Sequence, residues 1–223
     1  MKWFPLALFL AFSVLNATAQ SLRFVPVLED EDLQLNKDHL LADGRSLTVE
    51  TFKFFVGHAT LFENGQVVLQ DNIYHLIDAT DPESLTVLLT TTEGLKFDSL
   101  SFTFGADSIT SVSGVFGGDL DPTNGMYWTW NSGYINFKLE GTSLVCNTTK
   151  NAFNFHLGGY MAPFRSAQVV GSRVMTTDEV IIRLDLSKFF AEVDLAKDHT
   201  IMSPSARAVE LSAILARSFH VAQ

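Results

Sequence analysis

Cysteine is almost absent from this chain: Cys146 stands alone among 223 residues. One cysteine cannot form an intramolecular bridge, so disulfide-scaffold folds are excluded. Its neighbours Leu144 and Val145 favour a small half-buried apolar residue over a soft metal ligand or a reactive thiol. Basic residues are also scarce, with 15 Lys and Arg against 25 Asp and Glu and a net charge of −10. That balance repels phosphate backbones and anionic headgroups, which argues against nucleic acid as a partner. Enzyme signatures are missing too. There is no GxSxG, HExxH, P-loop, GxGxxG or CxxC, and Gly117-Gly118 and Gly158-Gly159 are isolated doublets. The expectation is a protein that is not an enzyme. The acidic run Glu29-Asp30-Glu31-Asp32 reads as a solvated patch.

What is present begins with an export signal. Lys2 supplies the positive start, Trp3 to Leu15 is almost wholly apolar, and Ala17-Thr18-Ala19 places small residues at the −3 and −1 positions. Cleavage is expected after Ala19, giving a signal over 1–19 and one domain over 20–223. The apolar run is too short to span a bilayer and lacks a basic flank, so no transmembrane segment is expected after cleavage. A periplasmic or secreted location follows.

From Ser46 to Ile182, short segments rich in Val, Ile, Thr, Phe and Tyr alternate with Gly, Pro, Asn and Asp punctuation. Leu47–Leu61 and Val67–Leu69, joined by Glu63-Asn64-Gly65-Gln66, read as a hairpin. Further strands are expected at 73–78, 85–89, 99–105, 134–140, 152–157, 166–170 and 180–186. No helical pattern of 10–15 residues separates them, so the expected fold is all-β, an antiparallel two-layer β-sandwich. Residues 186–193 read as a helical turn or a loop. Ser203-Pro204 looks like an N-cap with proline at the first helical position, opening one C-terminal α-helix over 206–219. The glycine-rich stretch 109–124 reads as a long irregular loop.

Aromatic side chains concentrate in Asp121–Gly141, where Met126, Tyr127, Trp128, Trp130 and Tyr134 fall within nine residues. In a strand, Trp128 and Trp130 would share a face. Spacing alone favours core anchors; an aromatic platform for sugar rings, or a wall beside a metal, is the functional alternative. Of the six histidines, His75 and His156 lie inside expected strands, and His199 precedes the helix start. A lone strand histidine is usually a satisfied core or surface group, but two on neighbouring strands could converge on one ion. His39, His58 and His220 lie in segments without a supporting pattern.

The block Gly125–Gly141, GMYWTWNSGYINFKLEG, preceded by Leu120-Asp121-Pro122, closely resembles the signature of the MbnP family of exported copper-binding proteins. Residues 47–61, Tyr74-His75-Leu76-Ile77-Asp78, Phe155-His156-Leu157-Gly158-Gly159 and His199–Ser203 resemble family segments in the family's order. The resemblance implies a β-sandwich that binds copper, Cu(I) or Cu(II), through histidines. It also implies a MauG-like dihaem partner that converts a tryptophan near the metal to kynurenine. Carried over residue by residue, the metal role falls on His75, His156 and His199, and the modified or metal-adjacent role on Trp128, Trp130 and Met126. The motif does not choose between the two tryptophans.

A thioether such as Met126 or Met202 would bias a site toward Cu(I). Kynurenine would add an aromatic amine where the indole nitrogen only donates. The oxygens of Asp119, Asp121 and Asn124 are of the kind Ca²⁺ takes, although these residue types more often close a plain turn. The sequence-level alternative to copper is a carbohydrate- or protein-binding module using Trp128, Trp130 and Tyr134.

Overall fold

The computed structural model describes residues 17–92 and 94–222. Residues 1–16, most of the expected export signal, lie outside this range, as does Glu93. In chain order the strands are β1 (Ala17–Leu28), β2 (Glu31–Asp32), β3 (Asp38–Leu40), β4 (Ser46–Glu63), β5 (Gln66–Gln70), β6 (Tyr74–Asp78), β7 (Thr86–Thr92) and β8 (Ser99–Phe104). A short helix α1 (Ser108–Ser113) follows, then two 3₁₀ turns at Gly118–Leu120 and Pro122–Asn124. The second half comprises β9 (Tyr127–Trp128), β10 (Gly133–Thr142), β11 (Ala152–Gly158), β12 (Gln168–Arg173), β13 (Glu179–Asp185), α2 (Leu186–Glu192), β14 (Thr200–Ile201), α3 (Ala206–Ser218) and β15 (Phe219–Val221).

Two sheets face each other. Among the described residues the smaller has five strands, with β15, β13, β1 and β2 in order and β7 also paired to β1. The larger has ten, along the path β12-β8-β4-β10-β11-β14. At the centre of the larger sheet lies the 18-residue β4. Along one edge it pairs first with β10 and then with β8; along the other it meets β3, β6 and β5. The β4–β5 hairpin forms as expected, because Asn64 (φ 51°) and Gly65 (φ 77°) supply the two positive-φ positions of its turn.

Between the sheets the core is built from phenylalanine. Phe24 of β1 meets Phe54 and Phe102 edge-on at 5.9 and 5.4 Å between ring centroids. Phe137 of β10 meets Phe52 at 5.5 Å and Phe189 of α2 at 6.3 Å. These rings are fully or almost fully buried, and at this packing each aromatic contributes area plus edge-to-face geometry. Helix α3 closes the open end with Leu211, Ile214 and Leu215 inward.

The structure refines several sequence expectations. The sandwich is antiparallel in most pairings, but β1 runs parallel to β13 and β14 parallel to β11. The cap of α3 is Ser205, whose hydroxyl accepts from Ala208 N–H at 3.1 Å, and not Ser203. Ser205 stands in the extended conformation a cap requires, and Pro204 therefore lies before the helix and not at its first position. Of residues 186–193, Leu186–Glu192 form α2, capped by Asp185. The stretch 109–124 is less irregular than its composition suggests, since Asp107 caps α1 and Asp121 caps the second 3₁₀ turn. Cys146 is buried and burial pushes its thiol up, away from reactivity.

Candidate functional site

Alternation decides which residues leave the core. In β11, Phe153, Phe155 and Leu157 point into the sandwich, so Asn154, His156 and Gly158 occupy the outer face. The same parity puts Lys138 and Glu140 of β10, Lys53 of β4 and Asp78 of β6 on that face. The register aligns His156 with Lys138, Lys138 with Lys53, and Lys53 with Asp78. A polar row results, in which Lys53 Nζ lies 2.7 Å from Asp78 Oδ2 and His156 Nε2 lies 2.6 Å from Glu140 Oε1. The hydrogen bond from His156, aided by Thr51 and Lys138, holds the Glu140 carboxyl down at about 2 against burial, which pushes the other way. In the neutral tautomer whose Nε2–H donates to Glu140, the lone pair is on Nδ1. Ligand histidines are commonly oriented by a carboxylate in this way.

Beside this row the outer face carries a second, smaller apolar cluster of Phe55, Tyr74, Ala106, Leu120, Met126, Trp128, Tyr134 and Ile135. The chain from 106 to 135 folds back over the sheet to build it. Trp128 is 6% exposed, and its ring lies on Gly158, two residues beyond His156 on the same face. A Cβ at Gly158 would come within 2.7 Å of that ring and 2.6 Å of the Tyr134 carbonyl oxygen, so only glycine admits the indole here. Trp130 belongs to the turn between β9 and β10 and is 65% exposed. The two rings still meet, tilted by 41° at 5.6 Å between centroids. The pair thus spans from the surface to the ground beside His156.

The other sequence candidates separate from this point. His75 shares the parity of Ile77, which is in the main core, and so lies on the opposite face from His156, with β4 and β10 between their strands. Its Nε2 is 2.7 Å from Asp71 Oδ2, at the margin where Leu88 and Leu89 of the smaller sheet come close. The expected convergence of His75 and His156 is therefore not what the fold delivers: equal apolar surroundings in sequence conceal opposite strand parity. His199 sits at the head of β14, its carbonyl accepting from Asn154 N–H and its Nδ1 3.1 Å from Thr200 Oγ1. Parallel pairing joins Asn154 with Thr200 and Phe155 with Ile201, and Met202 follows where that pairing ends. Met126 is 1% exposed within the Trp128 cluster.

The Ca²⁺-type oxygens close turns. Asp119 Oδ2 accepts from Leu76 N–H at 2.8 Å, Asp121 Oδ1 from Thr123 N–H at 2.8 Å, and the Asn124 amide donates to the carbonyls of 118 and 119. Among the described residues no group of three or more His, Cys, Asp and Glu stands close enough to share an ion.

Residues 17–203 match the family model described as MbnP. The chain belongs to the MbnP family. The solved structure of MbnP from Methylosinus trichosporium is similar to it with a TM-score of 0.63 at 15% identity, covering 87% of each chain. At that identity the likeness speaks for the fold. No curated protein matches the chain.

Within this MbnP-family fold the aromatic-platform alternative loses two of its three members. Tyr134 is 2% exposed, its hydroxyl taken by Phe116 N–H at 3.1 Å, and Trp128 is buried. Only Trp130 faces solvent, at the rim of a cavity of about 370 Å³ that includes Tyr160, Met161, Phe164 and Pro204. Sequence reasoning also passed over His58. It lies in a bulge of β4, between the Gly57–Thr103 and Thr60–Ser101 pairs, at φ 52°. Left-handed backbone costs a non-glycine residue roughly 1–2 kcal/mol, although histidine tolerates it better than most. His58 Nε2 lies 3.1 Å from the Tyr74 hydroxyl and 3.4 Å from Asp107 Oδ2. Bulges are not written in residue types, and no local pattern marked this one. Among the described residues no helix is long and apolar enough to cross a membrane.

Proposed function

We propose that this chain is an exported, non-enzymatic copper-binding protein that sequesters or hands on copper in the periplasm or outside the cell. In this reading His156 is the principal ligand and Trp128 the residue that a MauG-like dihaem partner converts to kynurenine. The observation that carries it is that a carboxylate-oriented histidine, His156, and the seat of a buried indole, Trp128 over Gly158, lie two residues apart on one face of β11, within the residues that the family model matches. The donors in this region suit a soft ion: the His156 imidazole nitrogen, the Met126 thioether in the Trp128 cluster, and the Met202 thioether just beyond β14, the strand that pairs with β11. Bound copper would supply a soft cationic centre for storage and exchange. The chain's own contribution is to orient one imidazole through Glu140 and to keep the indole dry. Trp130, in contact with Trp128 and open to solvent, offers the partner a way to reach it.

Metal-free protein is expected to take up one equivalent of Cu(I), and His156→Ala to abolish that uptake while the fold persists. Full uptake by His156→Ala contradicts the assignment. Peptide mass spectrometry on protein made with its native dihaem partner should place the tryptophan-to-kynurenine mass gain on Trp128. A gain on Trp130 alone would reverse the roles of the pair.

A further inference from the structure

A cavity of about 630 Å³ is walled by His58, Tyr74, Thr110, Phe116 and Leu120. Two polar side chains of its wall, His58 and Tyr74, meet a third from beside it, Asp107. Gly57 lets the Tyr74 ring lie flat across β4, since a Cβ there would stand 2.4 Å from the ring. That brings the phenol oxygen 3.1 Å from His58 Nε2. Asp107 caps α1 with Oδ1, accepting from Thr110 N–H at 2.7 Å, and turns Oδ2 toward His58 Nε2 at 3.4 Å. The bulge at His58 is what aims the imidazole at this point, and its ring and that of Tyr74 meet edge-on at 5.2 Å. None of the three belongs to the His156 row, and the proposed copper role does not use them.

A cation bound at about 2.1 Å from each donor holds neighbouring donors about 3.0 Å apart at right angles and about 3.4 Å apart in a tetrahedron. The separations from Nε2 found here fall at those two values. One imidazole, one phenol and one carboxylate form a borderline donor set, suited to a divalent first-row ion more than to Cu(I).

We propose that His58 Nε2, the Tyr74 phenol oxygen and Asp107 Oδ2 form a cation site for a divalent ion such as Zn²⁺ or Cu²⁺, separate from the His156 site and entered through the cavity that His58 and Tyr74 line. Coordination replaces the phenolic proton, which passes to water, and the cavity leaves room for water as a further ligand.

Calorimetric titration of the chain with Zn²⁺ tests this. The wild type should take up one equivalent that His58→Gly lacks, and glycine suits the φ of 52° at that position, so the variant should fold at least as well. Tyr74→Phe and Asp107→Asn should each weaken that equivalent by about 10-fold or more. Loaded with Cu²⁺, the wild type and His156→Ala should both show a visible phenolate-to-copper charge-transfer band that Tyr74→Phe lacks. Zn²⁺ uptake unchanged in His58→Gly, no Zn²⁺ uptake by the wild type, or no such band with Cu²⁺ bound would overturn the proposal. Loss of Cu(I) uptake in His156→Ala bears on the other site alone.

Discussion

The two faces of the ten-stranded sheet have been put to different uses. The inner face is a continuous layer of phenylalanine and aliphatic side chains, from Phe102 and Phe104 on β8 through Phe52 and Phe54 on β4 to Phe137 and Phe155 on β10 and β11. The outer face of the same strands is divided. One part is the charged row ending at His156, and the other is the small apolar cluster under the returning 106–135 segment. The difference teaches where stability and chemistry reside. A face packed against a second sheet fixes the strands, and the opposite face is then free to hold polar groups whose partners, such as Glu140 for His156, lie one strand away.

Breaking the inner face should have the largest effect. Phe137→Ala removes a ring in contact with Phe52, Phe104 and Phe189, and is expected to cost about 3–5 kcal/mol in urea unfolding. Gly158→Ala attacks the seam between the two uses of the outer face. Its Cβ would press on a backbone carbonyl oxygen at 2.6 Å as well as on the Trp128 ring, so about 1–3 kcal/mol and a shift in tryptophan emission are expected. A value near zero would mean that the indole is not seated on β11.

The pH dependence sharpens the polar half of the comparison. Glu140 is depressed from 4.5 to about 2 in the folded chain, so its contribution to stability is complete above the unfolded value. It is lost as the pH falls from 4.5 toward 2. Glu140→Gln should flatten the thermal midpoint across that window relative to wild type. An unchanged slope would contradict the His156–Glu140 pairing. The smallest effect is expected at Trp130→Ala, which removes a ring that is 65% exposed and should alter stability by no more than about 0.5 kcal/mol while exposing Trp128 to quenchers.

Much of this division can be read from the sequence, and the reasons for the failures are local. Apart from the two-residue β9, the strands from β4 to β13 declare themselves by alternation and turn residues, and Asn64-Gly65 sets the first hairpin. β1 is not legible, because its start merges with an apolar leader-like run and Pro26 interrupts its pattern, yet it pairs in parallel with β13 and holds the smaller sheet together. The acidic Glu31-Asp32 pair, read as solvated, is exposed as expected but also forms a short strand against β1. At the site, the GMYWTWNSGY block locates Trp128 and Trp130 but not their unequal burial, which arises because Trp130 falls in the turn and Trp128 on β9. His75 and His156 look alike in sequence. Parity within each strand separates them, with His75 matching the inward Ile77 and His156 alternating with the inward Phe155 and Leu157. His58 required a bulge that only the folded chain reveals.

The central claim is that copper is held on the outer face at His156 and not at the sheet margin where His75 pairs with Asp71. Cu(I) uptake measured side by side on His156→Ala and His75→Ala tests it most directly. The account predicts that the first variant loses the bound equivalent and the second retains it; retention by His156→Ala with loss in His75→Ala would contradict it.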